Sequence, residues 1–130
     1  MSEEQISSEL YQLVPEDFPH PPNTGAIPGD GIRLSMVKYE NKFYTPGDTP
    51  PERYERWLIC EDMAQQIAAK CIETKAGKRA HMSKEDIVEQ YYDRLLLTGW
   101  VDQKEGRWIM LLSAKIIDWP LPEKLKQLGD

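Results

Sequence analysis

The sequence is poor in the side chains that most often build metal sites and nucleophilic centres. It contains two histidines and two cysteines, and none of the motifs HExxH, CxxC, Walker A or GxGxxG occurs in it. Cys60 and Cys71 lie in one predicted helix, where their Cα atoms should be about 16 Å apart, which is too far for a disulfide. We therefore expect two reduced core cysteines, no metal and no cofactor.

Long apolar runs are also missing. No stretch approaches the roughly 18 apolar residues of a membrane span. The first residues, MSEEQISSEL, are acidic and lack the cationic and apolar regions of a secretory signal. From these two absences we expect a protein outside the membrane, located in the cytoplasm.

Positive charge is absent from the first thirty residues. They hold six of the 22 acidic side chains and none of the 16 lysines and arginines, so the net charge of −6 lies entirely in this segment. Affinity for nucleic acid comes largely from the neutralisation of phosphates, and an acidic arm on a neutral body does not supply it. We expect a protein partner and no nucleic-acid partner.

What the sequence does contain is helical periodicity. Three capping signals, TPPE from Thr49, SKED from Ser83 and DQKE from Asp102, each precede an apolar-periodic run. They predict helices over about 50–75, 84–98 and 103–118, and a strand-forming stretch with the turn EN predicts a hairpin over 32–45. The predicted fold class is mainly α (α+β), a compact three-helix body with a small N-terminal β-hairpin.

The chain is predicted to divide after residue 31. Residues 1–31 hold five prolines between Pro15 and Gly31 and form an acidic, Pro-rich N-terminal arm, in which the spacing of Ile6, Leu10 and Leu13 allows a short helix. Residues 32–130 are predicted to form a single globular domain.

The helical pattern also predicts a core. On the first helix, one arc carries Tyr54, Trp57, Cys60, Ala64, Ile67, Ala68, Cys71 and Ile72. On the third helix, the predicted arc is Trp108, Ile109, Leu112, Ile116 and Trp119. Gly99 should end the second helix as a left-handed residue, after which Trp100 packs back on Leu95. All four tryptophans are therefore predicted core residues.

The stretch LLLTGWVDQKEGRWIM, residues 95–110, has two interpretations. In a winged-helix DNA-binding domain it would be the end of the recognition helix followed by a β wing carrying Lys104 and Arg107. In a helical protein it is the junction between two packed helices. Carboxylates in the first turn of the second helix would repel phosphate, and RWIMLL does not alternate as a wing strand does. The helical interpretation is favoured, although Gly106 costs it about 1 kcal/mol.

Two surfaces are candidates for binding a partner. Five basic side chains gather around the loop between the first two helices and could bind an anion or an acidic partner: Lys75, Lys78, Arg79, His81 and Lys84. We call this set the basic loop; its plainer interpretation is a solvated loop. On the flank of the first helix, Ile59 and Met63 either cover the hairpin or contact a partner.

For function the sequence leaves three hypotheses. The favoured one is a small non-enzymatic binding or regulatory protein, such as an inhibitor, adaptor or assembly factor, that acts through protein–protein contacts. Its partner would be another protein, or a second copy of the chain in a homodimer. The alternatives are a winged-helix DNA-binding transcriptional regulator and an enzyme with an unrecognised site. A helix over 108–117 would count against the regulator, and a deep pocket with a titratable pair would favour the enzyme.

Overall fold

The computed structural model of the chain describes residues 9–21 and 36–127. The elements in this part are β1 (Val37–Tyr39), β2 (Lys42–Tyr44), α1 (Pro50–Ala76), α2 (Lys84–Leu97), α3 (Gln103–Ile117) and α4 (Glu123–Gln127). The chain divides into two units, Met1–Leu58 and Ile59–Asp130, and the division falls inside α1.

The predicted fold class, mainly α (α+β), is confirmed by three long helices and a small antiparallel sheet. Each long helix begins and ends within one residue of its predicted bounds. Three predictions fall on residues outside the described part of the chain: the first residues of the arm helix, residues 32–35 of the hairpin, and the boundary after residue 31.

The hairpin of the first unit is closed by Glu40 and Asn41, the EN turn that the sequence indicates. Both residues have a positive φ, 45° and 69°. This is the type I′ geometry, which matches the twist of the two strands. The antiparallel register pairs Val37 with Tyr44, Lys38 with Phe43 and Tyr39 with Lys42.

A proline–glycine turn leads from the hairpin to α1. The amide of Asp48 donates to the carbonyl of Thr45 at 2.9 Å, and Gly47 between them has a φ of 87°, as the third position of a type II turn requires. Thr49 then precedes the helix, and both its amide (3.3 Å) and its hydroxyl (2.6 Å) donate to the carboxylate of Glu52. The TPPE signal therefore marks the start of α1 as predicted.

Arg53, in the first turn of α1, fixes a segment of the N-terminal arm. Its guanidinium donates to the carbonyls of Pro19 (3.0 Å), Pro15 (3.3 Å) and Phe18 (2.6 Å). It also lies over the buried ring of Phe18, 5.2 Å from the centroid. Burial lowers the pKa of Arg53, and the nearby Asp48 carboxylate acts against that shift. We call these contacts the arginine clamp.

In the second unit, the buried face of α3 differs from the predicted arc. Its buried residues include Gly106, Trp108, Ile109, Met110, Ser113 and Ala114. The prediction was wrong at Ile116, which is 42% exposed, and on α1 at Ile72, which is 50% exposed. It also omitted Ser113, whose hydroxyl donates to the carbonyl of Ala64 on α1 at 3.0 Å. A periodicity analysis treats serine as polar, but here a hydrogen bond lets it enter the core.

Gly106 lies where α3 approaches α2. A β-carbon added at this position would lie 3.0 Å from the Cδ2 atom of Leu96 and 3.3 Å from the Cε1 atom of Tyr92. The residue that weakens the helical prediction is therefore the one that permits the two helices to pack closely.

Residues 103–117 form α3, as the favoured helical interpretation predicts, and the wing of the alternative interpretation is not present at this position. The helix begins with a complete capping box. The Asp102 carboxylate accepts from the Glu105 amide at 2.8 Å, and the Glu105 carboxylate accepts from the Asp102 amide at 3.1 Å. With a helix here, Lys104 and Arg107 are residues of α3 and not of a wing.

The short helix α4 is attached by contacts from two other helices. Leu125 is buried, and its carbonyl accepts from the Nε atom of Arg107 on α3 at 2.9 Å. The ammonium of Lys124 donates to the Asp93 carboxylate on α2 at 2.6 Å.

Candidate functional site

The basic loop lies at the N-terminal end of α2, and three of its five side chains make contacts within the chain. The ammonium of Lys75 donates to the carbonyls of Ala80 (2.9 Å) and Met82 (2.6 Å). The guanidinium of Arg79 donates to the side chain of Gln90. The ammonium of Lys84 lies 5.7 Å from the ring centroid of Trp119.

The two remaining members of the basic loop, Lys78 and His81, have exposed side chains. The structure thus places all five basic side chains around one loop, but it uses most of them to shape that loop. A binding role for the basic loop stays a prediction, and these contacts leave fewer cations for an acidic partner than the sequence indicates.

The other predicted surface, at Ile59 and Met63, is separate from the basic loop. Ile59 is 46% exposed and Met63 is half-buried. Ile59 lies sixteen residues before Lys75 in α1, about 24 Å along the helix axis. The two predicted surfaces therefore cannot form one contact area for a small ligand.

Cys71 is the side chain to consider for the hypothesis that the chain is an enzyme with a cysteine nucleophile. Its side chain is fully buried, and burial raises the pKa of the thiol to about 11. The thiol therefore stays protonated at neutral pH, whereas a nucleophilic cysteine needs a lowered pKa. His81, the only histidine of the second unit, is exposed in the loop before α2. Among the described residues, no group of three or more His, Cys, Asp or Glu side chains could hold a metal.

The opposite end of α2 has a different chemistry. Residues 97–100, which we call the apolar turn, connect α2 to α3. The hydroxyl of Thr98 donates to the carbonyl of Leu95 (2.6 Å) and accepts from the amide of Trp100 (3.1 Å). Gly99 has a φ of 74°, the left-handed stop that the sequence predicts.

The side chains on either side of this turn are buried, but two within it are not. Leu95 and Val101 belong to the core, whereas Leu97 is 86% exposed and Trp100 is 66% exposed. The predicted core position of Trp100 was therefore wrong. The residues around it are fixed by buried neighbours and by hydrogen bonds, so the exposed pair projects from an ordered support.

Exposed cations flank the apolar turn in the sequence. Arg94 lies three residues before Leu97, and its guanidinium carbon is 5.6 Å from the ring centroid of Tyr91. Lys104 lies four residues after Trp100 in the first turn of α3, and it is also exposed. Asp102 between them is occupied in the capping box. Arg94 and Lys104 are therefore the exposed cations nearest the pair in the sequence, while Asp102 and Glu105 keep their carboxylate charges in the capping box.

The sequence carried a weak signal for this surface. In LLLTGW, a helical face that buries Leu95 cannot also bury Leu97, because residues two apart point in different directions. For Trp100 no such signal existed, since the Schellman pattern predicts a buried residue after the glycine.

Within the described part of the chain, every helix is too short or too polar to cross a membrane. No family model matches the chain, and no curated protein and no solved structure matches it either.

Proposed function

We propose that the chain is a small non-enzymatic binding protein that holds a protein partner through Leu97 and Trp100 of the apolar turn. The observation that carries this proposal is the exposure of both large apolar side chains on a hydrogen-bonded turn. Each stands where a partner could bury it, and burial of apolar surface gains about 25 cal/mol per Å². Tryptophan is also among the residues that dominate interface energies.

The charges around the turn indicate the chemistry of the partner. Arg94 and Lys104 would meet carboxylates favourably at the rim of an interface, where such charges set orientation and association rate. The partner that fits is a protein with an apolar pocket bordered by acidic side chains.

The same charges favour a different protein over a second copy of this chain. In a symmetric dimer formed through the apolar turn, each copy presents the same surface to the other. Both rims would then carry the exposed cations Arg94 and Lys104, and like charges brought close across the two-fold axis oppose association. A heterologous partner is therefore the favoured occupant.

The experiment that tests the proposal compares three baits in quantitative affinity capture: the full chain, a Leu97→Ser/Trp100→Ser variant, and an Ile72→Ser/Ile116→Ser variant. The last is a matched control because it also removes two exposed large apolar side chains. Truncation of two interface anchors should cost at least about 2 kcal/mol, so retention should fall roughly 30-fold.

At least one protein should be retained by the full chain and by the control and lost from the Leu97→Ser/Trp100→Ser variant. Circular dichroism should show the same helical content for all three. If both variants retain the same proteins in the same amounts, the apolar turn is not the binding surface and the proposal fails.

A further inference from the structure

The first unit contains a cleft of about 400 Å³, a volume within the range of ligand sites in proteins. It is lined by Tyr11, Gln12, Tyr39, Glu40, Lys42, Tyr44 and Pro50. We call it the tyrosine cleft. It is independent of the apolar turn, because every lining residue belongs to the first unit.

One wall of the tyrosine cleft is a face of the hairpin. Directly paired residues share a face, and faces alternate along each strand. The register therefore places Tyr39, Lys42 and Tyr44 on the face that lines the cleft, and Phe43 on the opposite face. The rings of Tyr39 and Tyr44 are diagonal neighbours, 6.4 Å apart and steeply inclined at 64°.

The opposite wall is Tyr11, and the fold holds it in place. Its ring packs against Tyr54 on α1, with centroids 5.6 Å apart. The arginine clamp then fixes the residues just after it, because Arg53 binds the carbonyls of Pro15, Phe18 and Pro19. Both walls are therefore attached to the start of α1, and such a site is organised before its ligand arrives.

Every polar side chain of the cleft except Glu40 can donate a hydrogen bond, and the tyrosine hydroxyls and the Gln12 amide can also accept one. Tyrosine hydroxyls can donate, the Gln12 amide donates two protons, and the Lys42 ammonium can only donate. Glu40 is the one lining side chain that can only accept. Burial, the charge of Glu40 and the contact with Tyr11 raise the pKa of Tyr39, so its hydroxyl keeps its proton. Glu40 and Lys42 also cancel in charge, so the cleft favours an uncharged ligand.

We propose that the tyrosine cleft binds an uncharged, extended, proline-rich peptide segment of a partner protein. Proline offers an apolar ring and a carbonyl acceptor but no N–H donor. A polyproline helix leaves its carbonyls without internal partners, and aromatic grooves are its usual receptors. The proline rings would pack on the faces of the tyrosine rings, and the peptide carbonyls would accept hydrogen bonds from the donors of the lining. Such a ligand uses both the aromatic surface and the donors of the cleft.

Other ligand classes fit less well or are compared in the test. A quaternary ammonium ion suits an aromatic cage, but the Lys42 ammonium offsets the attraction of the Glu40 carboxylate, so this lining has no net negative charge to hold a cation. A sugar also stacks on aromatic rings, and the tyrosine hydroxyls and the Gln12 amide could donate to it and accept from it, so cellohexaose is the competing ligand in the test. An ordinary extended peptide brings one N–H per residue and lacks the proline rings that would pack on the tyrosine faces.

The test is a titration of the full chain, labelled with ¹⁵N, with acetyl-(Pro)8-amide, followed by NMR. Three variants are compared with the unchanged chain. Tyr44→Leu removes a ring from the cleft, Tyr39→Phe removes only a hydroxyl, and Phe43→Leu removes a ring from the opposite face of the same hairpin. A capped Gly-Ser octapeptide is the ligand control.

Saturable shifts should centre on Tyr11, Tyr39 and Tyr44, and the Gly-Ser peptide should cause none. Tyr44→Leu should weaken binding at least tenfold and Tyr39→Phe about threefold, while Phe43→Leu leaves it unchanged. If Tyr44→Leu changes the chemical shifts of the hairpin and therefore its structure, the weaker binding of Tyr39→Phe still tests the proposal. Three results would each overturn the proposal. The first is no shift at millimolar peptide, and the second is equal affinity of Tyr44→Leu and Phe43→Leu. The third is that cellohexaose, and not the peptide, shifts these residues.

Discussion

The two ends of α2 differ in their chemistry: charged side chains lie at one end, and exposed apolar side chains lie at the other. At the N-terminal end, Lys75, Arg79 and Lys84 bind carbonyls, an amide and an aromatic ring of their own chain. At the C-terminal end, about 20 Å away, Leu97 and Trp100 remain exposed. A cation is stabilised by a nearby carbonyl or by water, whereas exposed apolar surface gains free energy when it is buried. The exposed apolar side chains at the C-terminal end are therefore a stronger indication of a binding surface than the cations at the N-terminal end.

Among the variants that test this comparison, a substitution of Gly106 should change stability most, because Gly106 permits the close packing of α2 and α3 next to the apolar turn. Gly106→Val should lower the free energy of unfolding by about 3 kcal/mol, because the added side chain overlaps Leu96 and Tyr92. Urea denaturation would measure the loss. Lys104→Val in the same helical turn is exposed and should cost less than about 1 kcal/mol. Because valine forms helix more readily than glycine, a loss at Gly106 no larger than the loss at Lys104 would mean that packing against Leu96 and Tyr92 does not require glycine here.

The capping residues at the starts of α2 and α3 should differ by a smaller amount. Asp102→Ala breaks a half-buried reciprocal capping box and should cost about 1–2 kcal/mol. Ser83→Ala removes a single exposed bond, the one that Ser83 accepts from the Asp86 amide at 3.1 Å, and should cost about 0.5–1 kcal/mol. Thermal unfolding of both variants would test this order. A larger loss at Ser83 would show that the start of α2 is the better fixed of the two.

The smallest effect distinguishes cations that shape the basic loop from those that do not. Lys75→Met should lower the free energy of unfolding by about 1 kcal/mol, because the carbonyls of Ala80 and Met82 lose a charged donor. Lys78→Met, at an exposed position of the same loop, should stay within about 0.5 kcal/mol of the unchanged chain. Chemical denaturation at two salt concentrations would measure both. Identical results would mean that the Lys75 contacts contribute nothing to stability.

The helices could be predicted from the sequence because their signals are local. A capping residue and its partner, such as Asp102 and Glu105, lie three positions apart, and the EN turn closes its own hairpin. The errors concern contacts between distant residues. Ser113 is buried because of a carbonyl forty-nine positions earlier, and Gly106 is needed because of Leu96 and Tyr92 on another helix.

The candidate sites were harder to predict for the same reason. Neither the tyrosine cleft nor the arginine clamp has a local pattern, since Tyr11 and Arg53 meet the other residues of each site only after folding. One hint was present. A cation in the first turn of a helix opposes the helix dipole, so Arg53 needed a compensating contact. That hint does not name the contact.

The arginine clamp also affects how freely this part of the sequence can vary. Arg53 recognises Pro15, Phe18 and Pro19 through their carbonyls, which every amino acid possesses. The clamp therefore constrains the path of the backbone and leaves most side chains of the segment free to change. Phe18, whose ring is buried under the guanidinium, is the exception. In related sequences we expect an arginine at position 53 and an aromatic residue at position 18, joined by a segment of variable composition.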